Sequence, residues 1–342
     1  MLGSPDLWQP AGVYLDTASF GLPPKPAWDA LQAALADWRV GRTSWEGWCD
    51  ATERSRELFG RLVGVGPERV ATGSAVSPFV GLIAASLPQG TRVLAPDVEF
   101  SSLLWPWVVR GCEVRTAPLA TLAEAVDGRT DVVAVSAVQS ATGEVADLGA
   151  IESAAKAHGS LLIVDGTHGC GWLPLAAGRY DALVCAAYKW LLSPRGTAFM
   201  VLGDALAERV LPLAANWYAA GGATGSYYGL TEPLPLATTA ARFDLSPAWF
   251  SWVGTAPALE VLLDVGVEAI HPHNVELANR FRAGLGLAPA NSAVVTASVE
   301  GAEARLARAG IRAASRAGSL RAAFHLYTSE SDVDAALDAL TG

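Results

Sequence analysis

Between residues 69 and 202, short apolar runs alternate with helix-length segments, and this alternation restricts the possible folds more than any other feature of the chain. The runs at 69–72, 92–95, 113–117, 131–136, 161–165, 182–186 and 197–202 read as strands. Segments such as 76–87 and 148–158 read as helices between them. Several runs lack a polar/apolar alternation, as expected where helices cover both faces of a sheet. The expected architecture is therefore α/β, a large domain built on a mostly parallel sheet. From residue 247 the pattern changes. Helices are expected at 252–265, 267–285 and 302–308, strands at 292–299, 312–316 and 320–327, and a closing helix at 331–340 with acidic residues in its first turns. These divide the 342 residues into an N-terminal arm (1–24), a large domain (25–246) and a small C-terminal α+β domain (247–342). The Gly-, Thr-, Tyr- and Pro-rich stretch at 216–244 is expected to be a functional or subunit-contact loop rather than a linker.

Composition removes several function classes. A net charge of -10 argues against nucleic acid, whose phosphates require clustered Lys and Arg. No run of about twenty apolar residues is present, so no membrane span is expected. The start of the chain has neither a basic region nor an apolar signal core. Cys49, Cys112, Cys170 and Cys185 are scattered and form neither a metal-ligand pattern nor a disulfide framework. A reducing cytoplasm is the expected location, with no metal.

The chemistry concentrates where two consecutive strand-like runs end. Leu161-Leu162-Ile163-Val164 leads into Asp165, and the run at 182–187 leads into Tyr188-Lys189-Trp190. An amine and a carboxylate at adjacent strand ends are what pyridoxal phosphate requires: a Schiff-base lysine and an anion under the pyridine nitrogen. The only other lysines are Lys25 and Lys156, which makes a lysine in an apolar strand end more notable. Thr72-Gly73-Ser74-Ala75 follows a strand and opens a helix, where free N–H groups attract a phosphate, although a capping Ser would look the same. His168 lies three residues after Asp165 and could contact the cofactor ring or serve as a structural cap. Arg321 begins an apolar strand, where an inward guanidinium would be costly without a ligand or partner. Arg316 is a rival for the same carboxylate-binding task. The aromatic residues Trp217, Tyr218, Tyr227, Tyr228, Trp249 and Trp252, and Trp45 and Trp48 earlier, either shape a substrate cavity or pack subunits and domains, the second being favoured.

In order, the chain presents Tyr14-Leu15-Asp16-Thr17-Ala18, Thr72-Gly73-Ser74, Glu99-Phe100 with Pro106-Trp107, Thr142-Gly143, Val164-Asp165-Gly166, Tyr188-Lys189 with Gly196-Thr197, Arg242-Phe243-Asp244, and Leu320-Arg321-Ala322 with Leu326-Tyr327. This ordered set resembles the class V aminotransferase family of fold-type I pyridoxal-phosphate enzymes, which includes cysteine desulfurases, selenocysteine lyases and isopenicillin N epimerase-like proteins. The resemblance implies that Lys189 forms the Schiff base, Asp165 pairs with the pyridine nitrogen, and His168 stands where members have a glutamine near the ring hydroxyl. It places Ser74 and Ala75 in the phosphate turn, Phe100 where many members stack a histidine over the ring, and Ser140 where several have an asparagine. Arg321 matches the arginine that receives the substrate α-carboxylate. Ser246 corresponds to a loop that reaches the partner subunit's phosphate, so a homodimer acting on an amino acid is implied.

Departures narrow this further. Ala186 and Ala187 precede Tyr188 where a Ser-x-His is common in the family, so two family phosphate ligands become non-donors and a lower cofactor affinity is implied. Phe100 removes an acid–base group. No cysteine follows Cys185, and only a short segment separates Arg316 from Arg321, so persulfide chemistry of the desulfurase kind is not expected. Aminotransferase-type chemistry at Cα is favoured, with C–S or other β-elimination and epimerisation as alternatives. Loss of Lys189 or Asp165 would have pointed instead to a non-catalytic binding protein; both are present.

Overall fold

A computed structural model describes residues 2, 5–220, 228, 235–316 and 318–341. Tyr227 and the centre of the 216–244 segment lie outside the described residues. In chain order the elements are α1 (Lys25–Arg39), α2 (Trp45–Val63), β1 (Val70–Gly73), α3 (Val76–Ser86), β2 (Arg92–Pro96), α4 (Ser101–Arg110), β3 (Glu113–Ala117), β4 (Val132–Ser136), α5 (Leu148–His158), β5 (Leu161–Asp165), β6 (Ala182–Ala186) and β7 (Ala198–Leu202). There follow α6 (Asp204–Ala207), α7 (Trp249–Val265), α8 (Val267–Gly284), β8 (Val294–Ala297), α9 (Ala302–Arg308), β9 (Ala314–Arg316), β10 (Ser319–Ala323) and α10 (Glu330–Thr341).

The large sheet has the order β1-β7-β6-β5-β4-β2-β3. Strands β3, β2, β4, β5 and β6 run parallel, β7 runs antiparallel to both neighbours, and β1 is thereby parallel to the rest. The carboxyl ends of β1, β2, β4, β5 and β6 therefore share one sheet edge, the edge at which open α/β folds bind ligands. Strands β4, β5, β6 and β7 are buried almost throughout, which accounts for their unbroken apolar runs. Helix α5 is delimited as its sequence dictates. The Asp147 side chain accepts from the Ala150 amide at its start, and Gly159 takes a left-handed conformation (φ 70°) at its end.

The seven expected strands agree with β1–β7 to within one residue at either end. Helices α1, α2 and α4 are not among the sequence expectations. Helix α4 carries Pro106 in its interior, which blurs the helical signal. The small sheet, β8-β10-β9, is antiparallel. Its central strand stops at Ala323 rather than continuing to residue 327. The Thr328 amide donates to the His325 carbonyl oxygen (2.8 Å), so the chain turns there, and Phe324, Leu326 and Tyr327 are buried in a turn instead of a strand. Helix α7 packs on α1 and α2 before the chain enters the small sheet.

Candidate active site

Lys189 and Asp165 meet because β5 and β6 are neighbours. Asp165 closes β5, Lys189 follows β6, and both side chains are buried. The Thr167 amide donates to Asp165 Oδ1 (2.8 Å), and the Thr167 hydroxyl accepts from the Ala186 amide (3.0 Å), tying the two strand ends together. Burial pushes the Asp165 carboxyl up to about 6, with Glu99 adding to the rise, against the lowering effects of the Thr167 bonds and Lys189. Burial likewise pulls the Lys189 ammonium down to about 8; Arg321 and Arg316 add to the fall and Asp165 opposes it.

Lys189 Nζ lies 2.7 Å from His168 Nε2, and Trp190 Nε1 lies 3.4 Å from His168 Nδ1. An indole N–H only donates, so Nδ1 must be the accepting nitrogen. Burial and the nearby Lys189 and Arg321 charges hold the imidazole neutral, with its pKa well below the ordinary range. The proton of the neutral ring then sits on Nε2, where it can be donated to Lys189 once that amine has lost its own proton. This arrangement suits a lysine whose amine must be neutral to act as a nucleophile.

The backbone behind Lys189 is strained. Leu192 has φ 56°, the one positive value for a non-glycine among the described residues, and is fully buried. Such a conformation costs about 1–3 kcal/mol and is held by its surroundings. One of them is the N-terminal arm. The Gly21 amide donates to the Tyr188 carbonyl oxygen (2.9 Å), and a Cβ on Gly21 would lie 2.2 Å from the Lys189 carbonyl oxygen.

Around this pair the other expected residues take definite places. Phe100 caps α4 at the end of β2, its ring centroid 5.6 Å from Lys189 Nζ. Glu99 beside it accepts from the Ser136 amide (2.8 Å), the Ser136 hydroxyl (2.5 Å) and the Gln139 side-chain amide (3.1 Å), bracing the ends of β2 and β4. Ser140 is brought to Arg321 through its backbone: its carbonyl oxygen accepts from Arg321 Nη1 (2.7 Å). Arg321 is almost fully buried and its Nε has no partner among the described residues. Burial and Arg316 draw its guanidinium down to about 10, with Asp16 opposing. Arg316 is exposed, and its Nη2 donates to the Ser19 hydroxyl, as does Arg321 Nη2 (each 3.0 Å).

Ser74 and Ala75 follow β1, which lies two strands from Lys189's strand, about 10 Å across the sheet. The Ser74 side chain is exposed, and Ala75, not Ser74, is the N-cap of α3; no side chain caps that helix, so its first amides are free to meet an anion. Ser246 is exposed, accepts from Trp217 Nε1 (3.2 Å), and is held beside the same turn, since the Leu245 amide donates to the Thr72 carbonyl oxygen (3.0 Å). A buried ion pair fixes this junction: Arg56 bonds Asp244, whose Oδ1 also accepts from the Thr72 amide (2.7 Å). The aromatic residues pack largely on one another, with Trp45 on Trp217 and Trp48 on Trp249 and Phe250, while Tyr228 is exposed.

Sequence reasoning missed Thr167, Trp190 and Ser19. Thr167 was findable from its place two residues after Asp165. Trp190 and Ser19 carried no signal, because their partners are set by the fold. Among the described residues no cluster of His, Cys, Asp and Glu is fit to hold a metal, and no helix is long and apolar enough to cross a membrane.

The chain matches the family model for aminotransferase class-V over residues 13–302. It is 28% identical to an isopenicillin N epimerase of Streptomyces clavuligerus, covering 98% of this chain and 96% of that protein. It is 27% identical to YcbU, an uncharacterized aminotransferase of Bacillus subtilis, covering 86% of this chain and 85% of that protein. The cystine C-S lyase C-DES, solved with cysteine persulfide, shares the fold at a TM-score of 0.85 and 19% identity, covering 96% of this chain and 97% of that one. A buried lysine and carboxylate on adjacent strand ends, in a chain matched by this model along most of its length, identify it as a member of the class-V aminotransferase family of pyridoxal-phosphate-dependent enzymes.

Proposed function

We propose that this enzyme performs aminotransferase-type chemistry at Cα of an amino acid, with Lys189 as both anchor and proton carrier. The observation that carries the reading is Lys189 itself, a buried amine held 2.7 Å from a neutral His168 and beside Asp165 on the adjacent strand end.

The residues present fit the cofactor. Asp165 is a desolvated carboxylate raised to about 6, an anion short of a cationic N–H partner such as a protonated ring nitrogen. Lys189 would attach the cofactor, His168 would meet its ring hydroxyl, Phe100 would cover its face, and the uncapped start of α3 with Ser74 and Ala75 would receive its phosphate. When bound, pyridoxal phosphate supplies an electron sink for charge developing at Cα. Lys189, released from its anchoring role, takes the Cα proton; an amine with a pKa near 8 is well matched to both taking and returning it near neutral pH. Asp165 keeps the ring nitrogen protonated. Arg321, with a buried Nε lacking a partner, receives the substrate carboxylate.

Epimerisation by two bases requires a second proton carrier on the opposite face of Cα, and the residue proposed for that face, Phe100, carries none. This favours proton transfer on one face, by Lys189. The whole-length similarity to an isopenicillin N epimerase keeps epimerisation as the second reading. Elimination at Cβ uses the same residues. A downstream cysteine for persulfide formation is absent from the sequence.

The division into an arm (1–24), a cofactor-binding domain (25–246) and a C-terminal domain (247–342) is part of this proposal, as is a homodimer in which Ser246 serves the partner's phosphate site. Exposed apolar side chains on α4, Trp105 at 66% and Val109 at 87% exposure, support such an interface. The test begins with borohydride reduction of the cofactor-loaded protein and peptide mapping. Three lysines make the outcome unambiguous: the reduced pyridoxyl group is expected on Lys189, and its appearance on Lys25 or Lys156 would overturn the assignment. An amino-acid panel assayed for keto acid, inverted stereochemistry and β-eliminated product then decides the reaction.

A further inference from the structure

We propose that Ser19, on the N-terminal arm, is a third ligand of the substrate carboxylate, donating its hydroxyl proton beside Arg321. This deepens the carboxylate-binding role proposed for Arg321 and rests on it.

A serine hydroxyl accepts at most two hydrogen bonds and donates one. Ser19 Oγ accepts one bond from Arg316 Nη2 and one from Arg321 Nη2, each at 3.0 Å. Guanidinium groups only donate, so both lone pairs are committed and the proton is the one function left to Ser19. Among the described residues its hydroxyl donates to no acceptor, and the side chain is only half-buried, so the proton is uncommitted. The two guanidinium nitrogens, sharing one oxygen, lie no further apart than twice the distance each makes to it. Three donors thus converge on one small region with no carboxylate bonded to either arginine.

Two further observations place that region at the reacting centre. Both arginines depress the Lys189 pKa, so their charges are felt at the amine. The arm carrying Ser19 is seated on the lysine loop two residues later, where the Gly21 amide bonds the Tyr188 carbonyl oxygen and no room remains for a Cβ against the Lys189 carbonyl. The arm is anchored on its other side by Thr17, whose hydroxyl bonds the Tyr327 hydroxyl. Ser19 is therefore held on both sides, on an arm seated against the lysine loop, with both lone pairs taken by the two positive charges and its proton uncommitted. An anion is the ligand this arrangement recognises, and a carboxylate, with two oxygens, can accept from Ser19 and Arg321 together.

The test uses cofactor-loaded protein and unreactive carboxylates (acetate, 4-methylvalerate and succinate), with the methyl ester of 4-methylvalerate as a neutral control. Binding is read from the shift that an anion beside Lys189 causes in the pH-dependent visible absorbance, and independently from carboxylate-induced thermal stabilisation of the cofactor-free protein. Ser19→Ala is expected to weaken carboxylate binding about tenfold, the loss of one hydrogen bond to a charged group. Ser19→Thr, which keeps the hydroxyl, is expected to restore most of it, and the ester is expected to bind to none of the proteins. Arg321→Gln separates the two claims. If it binds carboxylates as the unmodified protein does, the Arg321 reading fails and the Ser19 proposal with it. If Arg321→Gln loses binding while Ser19→Ala keeps full affinity, only the Ser19 proposal is overturned. Absence of any carboxylate effect on the unmodified protein overturns both.

Discussion

Replacing Lys189 by methionine is expected to make the protein more stable, because this buried lysine is held at a net cost. Its ammonium titrates at about 8 in the folded protein against an ordinary 10.5, and burial is the leading cause. That fall corresponds to about 3 kcal/mol of preference for the neutral form. The sign follows from proton counting. Below about 8 the lysine is charged in both folded and unfolded states, so the full penalty of burying the charge falls on the native state. Between 8 and 10.5 the unfolded chain binds more protons than the folded one, so stability rises with pH, and above 10.5 the penalty has gone. Lys189→Met removes the penalty. One effect works against the gain: Lys189 helps to lower the Asp165 carboxyl, which without it stays protonated to higher pH. A net gain of about 1–3 kcal/mol at about pH 7 is expected. The assay is urea unfolding of cofactor-free protein at about pH 7 and about pH 10, with an unchanged denaturant slope as the check that the unfolded states are comparable. The gain should be largest at the lower pH and shrink at the higher. A variant no more stable than the parent at pH 7, or one whose gain does not change with pH, would refute the reasoning.

Trp190→Phe removes the donor that fixes the His168 tautomer, so Nε2 becomes free to accept from a protonated Lys189. The Lys189 pKa is expected to rise above about 8 while burial still holds it below 10.5, read by trace acetylation against Lys25 and Lys156 as internal references; an unchanged profile counts against the tautomer assignment. Arg56→Met leaves Asp244 buried without its cation and is expected to cost about 3–5 kcal/mol in denaturant unfolding. Burial has already raised the Asp244 carboxyl to about 6, and without Arg56 it rises further. The native state then holds a proton that the unfolded chain releases, so the loss should be greater at about pH 8 than at about pH 5. Equal losses at both would show that the pair's electrostatics are not what stabilises the Thr72–Asp244 junction.

The aromatic residues show why a site is harder to read than a sheet. Trp45, Trp48, Trp217 and Trp249 looked alike in sequence, whether lining a cavity or packing subunits. Trp48 meets Trp249 only after α2 and α7 have met, and Trp45 meets Trp217 across some 170 residues of chain. Tyr327 is similar. It read as the end of a strand, yet it lies in a buried turn where its hydroxyl bonds Thr17, near the opposite end of the chain.

The sequence by itself determined the strands, since a strand buried on both faces must be apolar throughout and cannot be mistaken for loop. It also located Asp165 and Lys189, because the ends of such runs are where polar groups first appear. The proton arrangement at Lys189, the burial of Arg321 and the commitment of both Ser19 lone pairs were decided only by tertiary structure. Each depends on groups that are remote in the chain, and hydrogen-bond direction and desolvation arise from what surrounds a side chain, not from its neighbours in sequence.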